Sequence, residues 1–216
     1  MPDRRPNFLC FVTDQHRHDH LGCAGNPIVQ TPSIDRLASE GVRFRRAYVN
    51  NPLCMPGRAT MFTGQTARGH GVRTNGIPLD PRVPTMPQAL ADAGYSTHSV
   101  GKIHLRQFGA PKGVPLDDLD PSEYPECGQM WGERRIDTVP TPYYGLQSVE
   151  LSIGHGSWVQ GDYMRWLEQQ DPDAPALTTP QAGEPLASGA EQSWKMALPE
   201  ELHYSKWIAD RTIAYL

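Results

Sequence analysis

The chain has 216 residues, a formal net charge of −4 and 38% hydrophobic residues, enough for one substantial hydrophobic core. The charge does not indicate a nucleic-acid partner, and no apolar run is long enough to span a bilayer or to serve as a signal peptide, so we predict a cytoplasmic protein without membrane contacts. The four cysteines show no C-x-x-C pair, which argues against a zinc knuckle and a disulfide framework.

The first predicted element is a strand at residues 7–13, because its apolar residues are nearly continuous and suit a strand covered on both faces. Asp14 and Gln15 follow it. Open α/β sheets bind ligands at the carboxyl ends of their strands, and side-chain oxygens there suit Ca²⁺, Mg²⁺ or Mn²⁺. The alternative for Asp14 is an ordinary capping residue after a strand.

A helix and a strand are predicted next. Thr31 is suited to cap a helix, Pro32 to its first position and Gly41 to its end, so residues 31–41 predict a helix. Residues 42–49 alternate enough in hydrophobicity to predict a strand that leads to the following motif.

The central stretch of the sequence surrounds Cys54. Pro56 suits the first turn of a helix and Gly64 its left-handed end, which predicts that Cys54 lies at a helix N-terminus. Free amides and the helix dipole stabilise an anion at that position, and Arg58 adds a cation one turn later. A small buried apolar role for Cys54 is the alternative.

The pattern Cys54-x-Pro56-x-Arg58 followed by Thr63-Gly64 resembles the signature of the formylglycine-dependent sulfatases and their relatives, the phosphonate monoester and phosphodiester hydrolases. The resemblance implies an α/β fold of the alkaline-phosphatase-like superfamily, with a mostly parallel sheet flanked by helices. It also implies that a formylglycine-generating enzyme oxidises the cysteine to formylglycine. One hydroxyl of the aldehyde hydrate attacks the ester, and the other allows the covalent intermediate to collapse.

The same resemblance implies a divalent metal ion bound by Asp14, Gln15 and residue 54, with Ca²⁺ as the first choice and Mn²⁺ or Mg²⁺ as alternatives. In the sulfatases the first strand ends in two acidic ligands. Gln15 at the second position is similar to the phosphonate and phosphodiester hydrolase branch, and it keeps an oxygen donor while removing one negative charge.

A strand predicted at residues 95–100 runs into a Gly-Lys-Ile-His sequence, in which an extended backbone would put Lys102 and His104 on one face. This pair resembles the Gly-Lys-x-His motif of the sulfatases. The resemblance implies that Lys102 grips a sulfate oxygen and that His104 contacts the sulfate or the leaving group. Asn75 resembles an asparagine that contacts substrate in some relatives, and a turn-forming role before Gly76 is the alternative.

Further elements are predicted as helices at residues 86–93 and 161–168, short strands at 143–146 and 149–153, and a linker or surface loop at 171–195.

Two more histidines are candidates for the site. His203 precedes a terminal helix whose apolar stripe includes Trp207 and Ile208. The resemblance implies that His203 contacts the substrate and acts as the acid for the leaving group, a role that the titration range of histidine suits. His155 lies between two glycines and is a candidate without a predicted position.

We therefore predict that residues 1–216 are the N-terminal portion of a single sulfatase catalytic domain that is incomplete at the C-terminus. Family members are considerably longer, and their later segments carry further metal ligands. These 216 residues alone are expected to bind metal weakly and to show no activity.

The predicted function is hydrolysis of small-molecule sulfate esters. Lys102 and His104 favour sulfate, whereas Gln15 favours the alternative of phosphonate monoester or phosphodiester hydrolysis. Two alternatives belong to other classes: an enzyme that uses Cys54 as an unmodified thiolate, and a non-catalytic anion or metal binder.

Overall fold

The computed structural model describes residues 5–189 and 193–216. The chain forms two compact units, Met1–Tyr48 and Val49–Leu216. The helices are α1 Pro32–Glu40, α2 Cys54–Thr63, α3 Ala67–His70, α4 Met86–Asp92, α5 Gly128–Gly132, α6 Asp162–Gln170, α7 Ala174–Leu177 and α8 Tyr204–Tyr215. The strands are β1 His98–Gly101, β2 Ser148–Ile153, β3 Gln160–Gly161, β4 Glu184–Pro185 and β5 Trp194–Lys195. No helix in the two described ranges combines the length and apolar character needed to cross a membrane.

Helix α1 belongs to the first unit and confirms the helix predicted at this position. Pro32 is its first residue and Gly41 follows its last. The Thr31 hydroxyl has a different role from the expected helix cap, because it accepts the Gly22 backbone N–H at 2.9 Å and donates to Asp35 Oδ1 at 2.9 Å. These bonds connect the start of α1 to a short 3₁₀ turn earlier in the chain.

The two strands predicted in the first unit, at residues 7–13 and 42–49, are wrong. Neither segment pairs with another strand within residues 5–189 and 193–216. Their apolar side chains are largely exposed, with Phe8 at 67% and Phe44 at 79% of full exposure. Apolar character alone does not make a strand, since its backbone N–H and C=O groups also need a neighbouring strand as partner.

A three-stranded sheet in the order β1-β2-β3 lies in the second unit. β1 and β2 are parallel, in register from His98 with Ser148 to Gly101 with Leu151, and β2 and β3 are antiparallel. Helix α6 contacts β2 and β3, and α8 contacts β1. Both longer strands were predicted, although β1 begins later than expected, and the predicted α/β class is confirmed.

Helices α4 and α6 confirm two further predictions and show how their ends are fixed. The Thr85 hydroxyl accepts the Gln88 backbone N–H at the start of α4, and Gly94 follows that helix with a φ of 83°. Asp162 is the first residue of α6, and its carboxylate accepts the Leu151 backbone N–H at 2.6 Å. The start of α6 is therefore bound directly to β2.

Two segments differ from their predicted descriptions. Residues 143–146 were predicted as a strand, but they form a turn in which Tyr144 and Gly145 have φ values of 49° and 84°. Residues 171–195, predicted as a linker or surface loop, contain α7 and the antiparallel pair β4–β5, and Ala174 in α7 is fully buried.

The buried apolar side chains of the second unit form two clusters. The larger cluster includes Met55 and Ala59 from α2 and Ile103 and Leu105 from the segment after β1. The smaller cluster is built on α6 and includes Trp207 of α8. The neighbours of Cys54 in α2 and the neighbours of Lys102 therefore belong to one hydrophobic core.

His70, the last residue of α3, is a buried histidine of this unit. Its Nδ1 accepts the Val72 backbone N–H at 3.1 Å, and its Nε2 lies 3.1 Å from the Thr60 hydroxyl. Burial lowers the pKa of His70, so the unfolded chain binds a proton more readily than the folded one. We expect the free energy of unfolding to decrease as the pH falls through about 6.5, the ordinary range of histidine.

The variant His70→Asn tests this expectation, because asparagine keeps an acceptor oxygen near the position of Nδ1 but does not titrate. Urea unfolding at about pH 8 and about pH 6 measures the stability difference between the two conditions. The wild-type protein should lose more stability on acidification than the variant. Burial also lowers the pKa of His98 and His203, so some pH dependence should remain in the variant. Equal losses in the two proteins would contradict the role given to His70.

Candidate active site

Cys54 is the first residue of α2, which confirms its predicted place at a helix N-terminus. Pro56 lies in the first turn, and Gly64 ends the helix with a φ of 68°. The Cys54 side chain is half-buried. The first amide N–H groups of a helix have no intrahelical acceptor, and the partial positive charge at this end favours an anion.

Two asparagines from neighbouring loops hold the start of α2. Leu53 precedes the helix and is apolar, so it cannot cap the helix with its own side chain. Instead Asn51 Oδ1 accepts the Leu53 N–H at 2.9 Å, and Asn75 Oδ1 accepts the Met55 N–H at 2.9 Å. Asn75 thus has a structural role that sequence reasoning missed, while its predicted contact with substrate stays a prediction.

The structure places Lys102 beside Cys54. Lys102 Nζ lies 3.8 Å from Cys54 Sγ and 3.2 Å from His155 Nε2. The loop with His155 depends on glycine, because a Cβ on Gly154, where φ is 120°, would lie 2.0 Å from the Trp158 carbonyl oxygen. One ammonium group therefore contacts the predicted nucleophile and a histidine that the sequence could not locate.

Arg58 connects α2 to the segment that carries Lys102. Its side chain is 9% exposed, and its Nη1 donates a hydrogen bond to the Lys102 carbonyl oxygen at 2.5 Å. Sequence reasoning expected Arg58 to add positive charge next to Cys54. The structure shows in addition that the guanidinium fixes the backbone of the neighbouring lysine.

His104 does not continue the extended backbone of β1. Its φ is 58°, and Gly101 before it has a φ of 102°. This conformation interrupts the extended backbone that the predicted alternation requires, so alternation does not establish a shared face for Lys102 and His104. The His104 side chain is buried, and its predicted contact with the sulfate or the leaving group stays a prediction.

Glu126 is a buried residue next to this segment that sequence reasoning missed. Its carboxylate accepts the backbone N–H groups of His104, Leu105 and Arg106. In the sequence it is one acidic residue within a region rich in proline and glycine, where no periodicity indicates burial. Only the folded chain shows that it contacts the turn after Lys102.

His203 is the N-cap residue of α8. Its Nδ1 accepts the Ser205 backbone N–H at 3.2 Å, and its ring packs on Tyr204 with a centroid distance of 4.1 Å. Burial lowers the pKa of His203, which favours the neutral imidazole near neutral pH. With Nδ1 as acceptor, the neutral ring carries its hydrogen on Nε2.

The predicted metal ligands fall in both compact units, Asp14 and Gln15 in the first and Cys54 in the second. A carboxylate and an amide oxygen are the kind of donor that Ca²⁺ and Mg²⁺ prefer. Within the described parts of the chain, no group of three or more His, Cys, Asp or Glu side chains could hold a metal ion. The donors fit such an ion in kind but supply only part of the six or more oxygens that Ca²⁺ takes. The metal site stays a prediction.

Comparison with known proteins supports the resemblance to the sulfatases. Residues 6–121 match the Sulfatase family model. An arylsulfatase of Clostridium perfringens (strain 13 / Type A) is 35% identical over 214 residues, which are 98% of this chain and 40% of that protein. An N-acetylglucosamine-6-O-sulfatase of Bacteroides thetaiotaomicron is 38% identical over 110 residues, which are 51% of this chain and 19% of that protein.

Among solved structures, this chain is similar to the crystal structure of a phosphonate monoester hydrolase of Agrobacterium radiobacter, with a TM-score of 0.64 and 25% identity. The similar region covers 94% of this chain and 36% of the hydrolase chain. This likeness defines the fold as the α/β fold of the alkaline-phosphatase-like hydrolases. The family match extends over more than half of the residues, and the chain therefore belongs to the sulfatase family. It spans less than half the length of the sulfatases that it matches.

The role of Asn75 at the start of α2 can be tested by two substitutions. Asn75→Ala removes the acceptor of the Met55 N–H, and we expect it to lower the free energy of unfolding by about 1 kcal/mol. Asn75→Asp keeps an oxygen and adds a negative charge at the helix N-terminus, so it should retain most of the stability. Urea denaturation measures both, and equal losses in the two variants would refute the capping role.

Proposed function

We propose that the protein hydrolyses sulfate esters and that a formylglycine formed from Cys54 is the nucleophile. The observation that carries the proposal is the position of the Lys102 ammonium, 3.8 Å from Cys54 Sγ at the N-terminus of α2. A sulfate group at this place meets a lysine cation and the positive end of a helix. Membership of the sulfatase family and the names of the two sulfatase relatives support sulfate as the anion.

The modified residue would supply a geminal diol, with one hydroxyl for attack and the other for release of the covalent ester. The chain itself supplies the positioned charge. Lys102 neutralises charge on a sulfate oxygen, and Arg58 fixes the backbone from which that lysine extends. The neutral form of His155 accepts a hydrogen bond from the Lys102 ammonium, and this bond restricts the motion of the lysine side chain. A positioned donor of this kind contributes about 3 kcal/mol to transition-state stabilisation.

Donation of a proton to the leaving oxygen is assigned to His203, whose neutral ring keeps a hydrogen on Nε2. His104 is assigned to the sulfate or the leaving group. Asp14 and Gln15 are assigned to a divalent cation, with Ca²⁺ as the first choice.

Hydrolysis of phosphonate monoesters or phosphodiesters is the second candidate. Two features favour it: Gln15 lies where the resemblance to the sulfatases implies an acidic residue, and the fold of a phosphonate monoester hydrolase matches 94% of the chain. In the proposed function a formylglycine-generating enzyme is the partner that modifies Cys54. The proposed location of the protein is the cytoplasm.

The first test removes the nucleophile. In the full-length protein, Cys54→Ala should reduce arylsulfate hydrolysis to background, because no other residue of the site can form the aldehyde hydrate. The thermal unfolding midpoint should change little, since the side chain is only half-buried. Steady-state kinetics and circular dichroism measure the two effects, and arylsulfate turnover by the alanine variant would disprove the assignment of Cys54.

A second test concerns the anion. Lys102→Ala in the full-length protein should lower kcat/KM for an aryl sulfate by about 10²-fold, since one charge-assisted contact to the developing anion is lost. Lys112→Ala is the matched control, because Lys112 is an exposed lysine in a loop of the same unit. The same assays with a phosphonate monoester and a phosphodiester rank the substrates. Much faster turnover of either phosphorus ester would favour the second candidate function.

A further inference from the structure

Glu126 is a charged side chain with no solvent exposure, and its two oxygens are surrounded by donors. One oxygen accepts the backbone N–H of Leu105 at 2.8 Å, the N–H of Arg106 at 3.1 Å and the Tyr143 hydroxyl at 2.7 Å. The other accepts the backbone N–H of His104. Three consecutive amides of the turn after Lys102 are thus bound by one carboxylate.

The energetics of this arrangement favour a fixed turn. Burial raises the pKa of Glu126, while the hydrogen bonds from Tyr143 and the three amides oppose that rise. The four hydrogen-bonded groups are all donors, and an ionised carboxylate, which only accepts, matches them. His104 has a φ of 58°, so this stretch cannot continue the ladder of β1. Without Glu126 the three amides would lose this acceptor, and a buried amide that lacks an acceptor destabilises the conformation that buries it.

Glu126 is itself held by its neighbours in the chain. The Pro125 carbonyl accepts the indole N–H of Trp131 at 2.9 Å, and the Cys127 N–H donates to the Tyr124 carbonyl at 2.9 Å. Cys127 and Trp131 belong to the larger apolar cluster. The carboxylate therefore extends from a fixed backbone and can impose a conformation on the turn that it binds.

We propose that Glu126 is a positioning residue, which fixes the turn at residues 104–106 and thereby holds Lys102 beside Cys54. Backbone groups of both kinds are bound in residues 102–106. Arg58 donates to the Lys102 carbonyl, and Glu126 accepts the three amide N–H groups that follow. The consequence for catalysis rests on the proposed function, whereas the geometric effect on Cys54 does not. Glu126 touches no reacting atom in this proposal.

The test uses the reactivity of the unmodified thiol, measured on protein from a host that lacks the modifying enzyme. The reagent is iodoacetate, which carries a negative charge, so an ammonium fixed next to the sulfur attracts it and speeds the alkylation. Mass spectrometry of peptides reports the alkylation rate of Cys54 separately from the other cysteines. We expect Lys102→Ala to slow the alkylation by about fivefold and Glu126→Gln by at least about threefold.

The double variant distinguishes positioning from general loss of structure. Since Glu126 acts through Lys102, the combination of Glu126→Gln with Lys102→Ala should react no more slowly than Lys102→Ala alone. Tyr143→Phe is the matched control, because it removes one donor to the carboxylate and leaves the three amide bonds. Its rate should stay within about twofold of the wild-type rate. A wild-type rate in a folded Glu126→Gln protein, or fully multiplicative effects in the double variant, would overturn the proposal.

Hydrogen exchange in the wild-type protein tests the same proposal without a substitution. The amides of residues 104–106 should be protected to the same extent as those of α2, and exchange as fast as in an exposed loop would overturn it. Neither readout depends on turnover. If the protein fails to hydrolyse sulfate esters, slower alkylation in Glu126→Gln still supports the positioning role and only the proposed function fails.

Discussion

The hydrogen bond from Arg58 to the Lys102 carbonyl is the constraint on which the arrangement of the site depends. Arg58 lies one turn after Cys54 in a helix whose neighbouring residues, Met55 and Ala59, are buried in the core. Its guanidinium reaches the first residue after β1 with a donor–acceptor distance of 2.5 Å. Because the planar guanidinium keeps its charge and its donor directions, the helix N-terminus and the lysine backbone are held together. The short distance between the Lys102 ammonium and Cys54 therefore depends on the fixed backbones of α2 and of Lys102, in addition to the conformation of the lysine side chain.

In the proposed reaction, two buried side chains would act on the site without contacting the reacting atoms. Arg58 and Glu126 are both buried, and each binds backbone groups of the segment between Lys102 and Arg106. Positively charged and dipolar groups stabilise a developing anion most effectively when they need no reorganisation during the reaction. A lysine on a loosely held loop would lose part of this effect, since its charge would move away in many conformations. In this chain the cost of burying two charges is offset by the hydrogen bonds that they form with the backbone.

The parts of the structure that could be predicted from sequence are those with local causes. The start of α2 at Cys54 follows from Pro56 and Gly64, and α1, α4 and α6 follow from similar signals at their ends. The strand at residues 7–13 could not be excluded from its sequence, because strand formation depends on a partner elsewhere in the chain. The left-handed conformation of His104 could not be predicted from the sequence either, because the carboxylate that binds its amide is 22 residues away in the chain. Long-range hydrogen bonds of this kind leave no periodic pattern in the sequence.

The chemical state of residue 54 in the active protein is the most direct test of this account. Trypsin cleaves after Arg46 and Arg58, so residues 47–58 form one peptide in which Cys54 is the only cysteine. In active full-length protein from its natural host, we expect an aldehyde at this position. The peptide should then be lighter than its thiol form, and the aldehyde should react with a hydrazide. A fully active preparation in which the same peptide carries an intact thiol that iodoacetamide alkylates completely would contradict it.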